Sequence, residues 1–213
     1  MVFSNSSAAQ TAEFLLQIKA IQLRPENPFV WASGWKSPIY CDNRMALSFP
    51  SIRNFLRDEM VKVIRAHYPG AEVIAGVATG AIALAALVAQ ELGLPMVYVR
   101  STAKEHGRQN LVEGYLEPNR RVVVIEDLIS TGKSSLQAVD ALRALDAQVL
   151  GMVGIFTYGF PVADSAFEAA NCALTTLSDY DALLAHAQAV GTIKEEEMHL
   201  LSEWRKSPST WAL

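Results

Sequence analysis

The chain has 213 residues, of which 51% are hydrophobic and 19% are charged, and this composition is typical of a globular protein with one substantial core. The formal net charge of −4, without a visible cluster of lysine and arginine, argues against broad nucleic-acid binding, because such binding requires a basic face. Cys41 and Cys172 lack metal-ligand spacing and are expected to be free thiols in a reducing cytosol.

Neither targeting nor membrane insertion is indicated by the sequence. Residues 1–10 lack the basic and apolar regions of a signal peptide. The Ala/Leu-rich stretch 81–94 is too short to cross a bilayer. We therefore expect a cytoplasmic protein with neither membrane nor nucleic acid as a partner.

The N-terminal region predicts a helix and then a hairpin. Apolar residues recur at helical spacing from Phe14 to Ile21, after Thr11 as the expected cap. Residues 29–42 then place two short strand-like pieces around a turn-rich centre at 33–38, which predicts a hairpin. Trp31 and Trp35 lie in this hairpin, and we interpret them as packing a small subdomain over the core rather than as ligand contacts.

Strands and helices alternate over the rest of the chain, which predicts an α/β protein with a mostly parallel central sheet flanked by helices. The predicted strands are residues 73–77, 96–100, 122–125, 148–156 and 172–176. The predicted helices are residues 51–68 and 81–92, the segment after 134, a segment around 167–170, and two C-terminal helices starting near 178–181 and 192–195.

The segment 121–135 carries the strongest chemical signal. Its apolar run 122–125 suits a strand buried on both faces, and Glu126 and Asp127 follow at the expected carboxyl end of that strand. The hydroxyl-rich turn 130–134 then leads into a helix, whose free N–H groups attract an anion, and Gly132 allows close approach to a phosphate.

The segment 121–135 has two other interpretations. The letters Gly132-Lys133-Ser134 suggest a nucleotide-triphosphatase loop, but the Walker A pattern needs a glycine where this chain has Asp127. The acids could instead cap the next helix without any ligand. Adjacent carboxylates at a buried strand end repel each other and lose hydration, however, which favours a hydroxyl-rich, cation-associated partner for them.

A long polar loop follows the strand predicted at 96–100. It carries Lys104 and His106 beside Gly107, and Arg100 precedes it. Irregular loops of this length inside a compact α/β domain are commonly lids, although a solvated loop without function is the alternative. In a parallel sheet these cations leave the same edge as the acids, so together they would neutralise a polyanion.

With these motifs, the chain resembles the type I phosphoribosyltransferases, whose signature for phosphoribosyl pyrophosphate (PRPP) has the pattern of residues 122–134. The resemblance implies that family's fold, with Glu126 and Asp127 holding the ribose hydroxyls and the following loop cradling the 5′-phosphate. The residues it implies for PRPP are Arg100, Lys104, His106, Thr79, Gly80, Glu126, Asp127, Leu128, Ile129, Ser130, Thr131, Gly132, Lys133 and Ser134.

Three further segments resemble the orotate phosphoribosyltransferase family in particular: the loop 100–107, the hairpin 33–40 and the small-residue turn 76–80. The resemblance implies transfer of the phosphoribosyl group from PRPP to N1 of orotate, with Mg²⁺ held mainly by substrate oxygens. Lys104, His106 and Asp127 would be the catalytic residues. Ser130, Tyr40 and Lys36 would contact orotate.

The same resemblance implies one domain over residues 1–213, with an N-terminal hood of about residues 1–45 on a core of about 46–213. It also implies a homodimer in which the loop 100–113 reaches the partner's site. Some relatives have lysines where this chain has Ala32 and Ser101. Some also have an arginine that contacts orotate, and this chain has no evident counterpart of it near residues 156–158. A purine-base phosphoribosyltransferase and a PRPP-sensing regulator that binds nucleic acid remain the alternative functions.

Overall fold

The computed structural model describes residues 1–31, 34–101 and 111–211. The strands in these ranges are β1 (Ile21–Leu23), β2 (Phe29–Val30), β3 (Lys36–Ser37), β4 (Ile39–Cys41), β5 (Val73–Val77), β6 (Met96–Val99), β7 (Val112–Glu113), β8 (Arg121–Ile129), β9 (Gln148–Thr157) and β10 (Leu174–Asp179). The helices are α1 (Asn5–Gln17), α2 (Pro50–His67), α3 (Ile82–Leu92), α4 (Lys133–Arg143), α5 (Pro161–Ala169), α6 (Tyr180–Ala189) and α7 (Glu195–Lys206), with a 3-10 helix at Asn43–Ser48.

A six-stranded sheet in the order β10-β9-β8-β5-β6-β7 forms the centre, and its neighbouring strands are parallel except for the pair β6 and β7. Successive side chains of a strand point to opposite faces. Val123 and Ile125 of β8 pack in one hydrophobic cluster with α2 and α3, whereas Val122 and Val124 pack in another with α4 and α5. Helices therefore cover both faces, which is why this strand is apolar throughout its first half.

The chain reverses its direction across the sheet between β5 and β8. From β5 it passes through α3 to β6 on one side, and from β8 it passes through α4 to β9 on the other side. The two strands are direct neighbours in the sheet. Open α/β sheets bind ligands at such a switch point, beyond the carboxyl ends of the strands.

The predicted hairpin is present with a different pairing. β2 pairs with β3 in antiparallel fashion, and β3 contains Lys36 and Ser37, which the sequence pattern places in the turn. β4 pairs not with β2 but with β1. The early part of the chain was predicted as helix up to Ile21, but Lys19 adopts a left-handed conformation with φ 59 that ends the helical region, so Ile21 belongs to β1.

Several predicted boundaries are corrected by side-chain contacts. Ser4, not Thr11, caps α1, and Thr11 is fully buried within that helix. The last strand is displaced toward the C-terminus of the predicted segment 172–176, and Asp179 ends it by capping α6 at the predicted helix start. The cap of α7 is Lys194 rather than Thr192. Local patterns located these elements, but the capping contacts decide where they begin.

An aromatic cluster joins the hairpin to the C-terminal helix. Trp204 of α7 is completely buried and lies with its ring centre 5.6 Å from that of Trp31 and 5.7 Å from that of Tyr158. Its indole N–H donates to the carbonyl of Lys36 at 3.2 Å. Trp35 stacks on Trp31 with ring centres 6.4 Å apart. This geometry agrees with the packing interpretation of the two hairpin tryptophans.

Replacing Trp204 by alanine is expected to lower the free energy of unfolding by about 3–5 kcal/mol, because it leaves a large cavity in this cluster. Chemical denaturation measures the change. Tyr115→Ala serves as the control, since its side chain is 81% exposed and its loss should change stability by no more than about 0.5 kcal/mol. Equal effects of the two substitutions would contradict the role of the cluster.

Among the described residues, no helix combines the length and the apolar character that crossing a bilayer requires.

Candidate active site

The acidic pair lies at the point where β8 loses one of its two neighbours. Pairing with β5 ends at Gly76 opposite Ile125, whereas pairing with β9 continues from Glu126 opposite Gly154 to the end of β8. Glu126 and Asp127 are therefore inside β8, not beyond its end as the sequence predicted. The reason is that the strand extends along β9 after its apolar run has stopped. The acids thus border a gap in the sheet at the switch point.

Glu126 is directed toward α4 and is almost fully buried. Only 4% of it is exposed, and its Oε2 accepts a hydrogen bond from the hydroxyl of Ser135 at 2.9 Å. Its Oε1 accepts from the backbone N–H of Asp127 at 3.0 Å. Burial, and after it the neighbouring Asp127 charge, raise the pKa of Glu126 from 4.5 to about 8. The unliganded site therefore favours a protonated Glu126 at neutral pH.

Asp127 occupies the opposite face of the strand and is half-buried. Its carbonyl accepts a hydrogen bond from the side-chain amide of Asn43 at 2.6 Å, which joins β8 to the 3-10 helix. A Cβ atom added at Gly80 would lie 2.0 Å from Oδ2 of Asp127, so a side chain there would displace this carboxylate. The loop after β5 and the residues after β4 therefore enclose Asp127 from two directions.

A cavity of about 360 Å³ surrounds the acids, and we call it the acid cavity. Its lining comes from three segments: the residues after β4, the turn after β5 and the end of β8 with the start of α4. These residues are Cys41, Asp42, Asn43, Arg44, Val77, Ala78, Thr79, Gly80, Glu126, Asp127, Leu128 and Ser134. Larger cavities lie near α1 and α6, but they contain neither acid.

A second cavity of about 430 Å³ adjoins the first, and we call it the arginine cavity. It shares Val77, Ala78 and Ser134 with the acid cavity and is also lined by Arg100. The guanidinium of Arg100 lies 3.5 Å from the carboxylate of Glu113. The predicted cation therefore lines a cavity that borders the acid cavity. Lys104 and His106 belong to the segment 102–110, which is outside the described residues.

The turn between β8 and α4 has the properties of an anion site. Gly132 precedes the first helical residue with φ 79, and a Cβ there would lie 2.9 Å from the ring of Phe167. Gly132 has no side chain with which to cap the helix, and the first N–H groups of a helix have no partner within it. Ser130 and Thr131 are half-exposed and Lys133 and Ser134 are exposed around these N–H groups. A phosphate would be attracted by the helix dipole and by these donors.

The remaining predicted site residues differ in whether they line the acid cavity. Leu128 lines the acid cavity, whereas the side chain of Ile129 is fully buried in the core, so that only its backbone could face a ligand. Tyr40 is 39% exposed, and its ring centre lies 5.6 Å from that of Phe29. Lys36 is exposed on β3. Neither Lys36 nor Tyr40 is among the described residues that line the acid cavity.

Sequence reasoning missed the four residues from Cys41 to Arg44. They lie at the C-terminal end of the predicted hairpin 29–42 and just after it, and they bring a polar Asp-Asn-Arg run to the acids, which was the available signal. Nε of Arg44 lies 2.7 Å from the carboxylate of Asp42, and the thiol of Cys41 donates to the Asn43 side chain at 3.2 Å. Because 84 residues separate Asn43 from Asp127, only the tertiary fold brings this run to the site.

The raised pKa of Glu126 predicts a pH-dependent stability for the unliganded protein. Between pH 4.5 and about 8 the folded state holds a proton that the unfolded state releases, so stability should fall as the pH rises through this window. Glu126→Gln removes this titration, and its melting temperature should fall less across the same window. Glu196→Gln, at an exposed position of α7, should retain the wild-type slope. Parallel slopes for wild type and Glu126→Gln would contradict the assignment.

Comparison with known proteins agrees with this geometry. A sequence model of the phosphoribosyl transferase domain matches residues 56–175. An orotate phosphoribosyltransferase of Porphyromonas gingivalis is 57% identical over 95% of this chain and 96% of its own length, and one of Listeria innocua is 50% identical over 95% and 97%. The chain belongs to the orotate phosphoribosyltransferase family.

The solved structures support the same fold. The crystal structure of orotate phosphoribosyltransferase from Aeropyrum pernix has a TM-score of 0.74 and 27% identity, with 86% of this chain and 99% of that chain covered. The expectation of a type I phosphoribosyltransferase fold with a mostly parallel sheet is therefore confirmed. The matched phosphoribosyl transferase domain, residues 56–175, contains the acidic pair, the turn before α4 and the turn after β5.

Proposed function

We propose that this protein transfers the 5-phosphoribosyl group from PRPP to N1 of orotate, giving orotidine 5′-monophosphate and pyrophosphate in pyrimidine nucleotide biosynthesis. The observation that carries the proposal is the acidic pair at the switch point, beside a turn that suits an anion and a neighbouring cavity that is lined by an arginine. A sugar that carries both a phosphate and a pyrophosphate matches this set of groups. The family membership supplies the acceptor base.

The reaction needs positioning more than a protein nucleophile. The bond from C1′ to the pyrophosphate oxygen breaks, and its electrons leave with pyrophosphate, while N1 of orotate forms the new bond on the opposite face. The proton of the N1–H group is released in the same exchange to pyrophosphate or water. Positive charge develops at C1′ and the ring oxygen during this exchange. Asp127 is held on two sides and lies in the cavity where it can orient the ribose hydroxyls and favour that charge.

The two cavities suggest which end of PRPP each one binds. The 5′-phosphate would lie at residues 130–134, with the backbones of Leu128 and Ile129 positioning the turn. The pyrophosphate would lie in the arginine cavity, beside Thr79 and Gly80 at its border with the acid cavity. Arg100 would neutralise part of its charge.

The loop that follows Arg100 would complete the pyrophosphate site. We propose that Lys104 stabilises the departing pyrophosphate and that His106 hydrogen-bonds or protonates it, since histidine titrates near neutral pH. We further propose a homodimer in which the loop 100–113 closes over the partner's site and excludes water from the activated sugar.

Orotate would bind under the hairpin. The exposed ring of Tyr40 can lie against the pyrimidine, and Ser130 and Lys36 can donate to its polar edge. We propose that the hairpin forms part of a hood of about residues 1–45 within a single domain of residues 1–213. Through Trp204 and its neighbours the hood is packed against α7, which would fix the base relative to the ribose.

Mg²⁺ fits this site as an ion that accompanies PRPP. The acid cavity is lined by oxygen donors such as the Thr79 and Ser134 hydroxyls, and Mg²⁺ is a hard cation that prefers phosphate oxygens and water. We propose that substrate oxygens hold most of its coordination sphere. When bound, it would spread the negative charge of the leaving pyrophosphate.

The decisive experiment is an orotate absorbance assay with PRPP and Mg²⁺, run beside product assays with adenine and hypoxanthine. Conversion of orotate alone supports the proposal, and conversion of a purine base alone would replace it with a purine-base phosphoribosyltransferase. Absence of turnover with all three, together with nucleic-acid binding, would favour the regulator. We place the reaction in the cytoplasm, where the free thiols of Cys41 and Cys172 would remain reduced.

A further inference from the structure

Ser135 links the two halves of the proposed PRPP site. It is the third residue of α4, is 1% exposed, and donates its hydroxyl proton to Oε2 of Glu126 at 2.9 Å. The other carboxylate oxygen of Glu126 accepts from the N–H of Asp127. A continuous chain of hydrogen bonds therefore runs from the first turn of α4, through Glu126, to the backbone of the ribose acid.

We propose that Ser135 is a positioning residue for PRPP, which acts by fixing the buried Glu126 carboxylate between the phosphate-binding end of α4 and Asp127. This inference rests on the proposed function and deepens it, because it concerns how the ribose and phosphate subsites are held in register. Ser135 lies behind the turn 130–134 and does not itself line either described cavity. Its effect must pass through Glu126.

Few groups near Glu126 could position its carboxylate in place of Ser135. The charged neighbour of Glu126 on β8 is Asp127, and its negative charge disfavours the ionisation of Glu126. Opposite it, β9 presents Gly154, and from α4 comes Ser135. The acid cavity adds the thiol of Cys41 and the ion pair of Asp42 with Arg44.

Ionised Glu126 presents two acceptor oxygens and no donor to the ribose hydroxyls, and the Ser135 hydroxyl favours that form. A serine at this position thus sets both the orientation of the carboxylate and the pH at which it becomes ionised. The structure offers a matched comparison in Ser178, which is fully buried and donates to the carbonyl of Ala8, also at 2.9 Å. Ser178 contacts α1 and not the acids.

The test is the pH dependence of kcat/KM for PRPP in Ser135→Ala, with Ser178→Ala as control. We expect the ascending limb of the Ser135→Ala profile to move to higher pH by about one unit, since a hydrogen bond to a charged group is lost. At neutral pH, kcat/KM for PRPP should fall about tenfold, and KM for orotate should change little. Ser178→Ala should lose similar thermal stability with no movement of the limb.

A second comparison distinguishes an effect of Ser135 on the position of Glu126 from an effect on folding. In a Glu126→Gln background the limb assigned to Glu126 is absent, so Ser135→Ala should no longer move the profile. Ser135→Cys, which keeps a weaker donor of similar size, should give a smaller shift and serves in place of alanine if that variant does not fold. An active wild type with an unmoved limb in the folded Ser135 variant would overturn this inference. A wild type without orotate turnover would instead overturn the proposed function.

Discussion

Replacing Asp127 by asparagine is expected to lower kcat about 10²–10³-fold while the protein remains folded. The substitution keeps the size of the side chain but removes the negative charge that favours the developing positive charge at C1′. Its amide can still occupy the space against Gly80. Because the bond from Asn43 goes to the backbone carbonyl of residue 127, that contact to the 3-10 helix is retained. Steady-state kinetics with orotate and PRPP measure the loss.

The matched control is Asp58→Asn, which removes a carboxylate that is 49% exposed on α2 and paired with Arg57. This control should retain wild-type kcat within about twofold, because surface ion pairs contribute little. Circular dichroism and melting temperature should show that both variants are folded. A folded Asp127→Asn enzyme with wild-type kcat would mean that the acid does not act on the transition state.

The two acids of the motif are neighbours in sequence but not equivalent in the structure. Side chains alternate along a strand, so Glu126 faces α4 and Asp127 faces the loop after β5. The resemblance implied that both acids hold the ribose hydroxyls, and it implied a catalytic role for Asp127 in addition. Their different burial gives Asp127 the more accessible position and leaves Glu126 within a hydrogen-bond network. This distinction depends on which helix covers which face of the sheet.

The part of the fold that follows from local patterns could be predicted. The run 122–125 is entirely β-branched and the strand 73–77 is continuously apolar, so their identity as buried strands needs no tertiary information. The end of β8 could not be predicted, because it depends on pairing with β9 after β5 has ended. Likewise, the β1 to β4 pairing joins segments of three residues each, which are too short for a periodic pattern to identify them.

Only part of the candidate site, likewise, could be predicted from the sequence. The turn 130–134 and the acids are contiguous in sequence, and their chemistry is recognisable from residue type alone. Cys41 to Arg44 enter the acid cavity only through the fold, and Ser135 is distinguished from Ser134 only by the direction of its side chain. Residues whose role depends on their position in the fold, and not on their chemical type, therefore cannot be identified from the sequence alone.

Replacing Lys104 by alanine is expected to lower kcat by about 10²–10³-fold without loss of the fold, since its ammonium group would stabilise the departing pyrophosphate. Lys104 lies outside the described residues, and the expectation comes from its position in the loop after Arg100. Lys133→Ala is an informative comparison, because Lys133 is also a cation but lies at the phosphate turn. It should raise KM for PRPP more than it lowers kcat. A Lys104→Ala enzyme with unchanged turnover would show that the loop has been wrongly assigned.

The same variant tests whether the loop serves the partner's site. If it does, a dimer formed from one Lys104→Ala chain and one Asp127→Asn chain contains one site with both defects and one site with neither. Random exchange of subunits between the two nearly inactive enzymes should then restore about one quarter of wild-type activity, because half of the dimers are mixed and each has one intact site. If the loop closes over its own chain's site, every site keeps one defect, and mixing restores nothing. Activity after mixing therefore distinguishes the two arrangements directly.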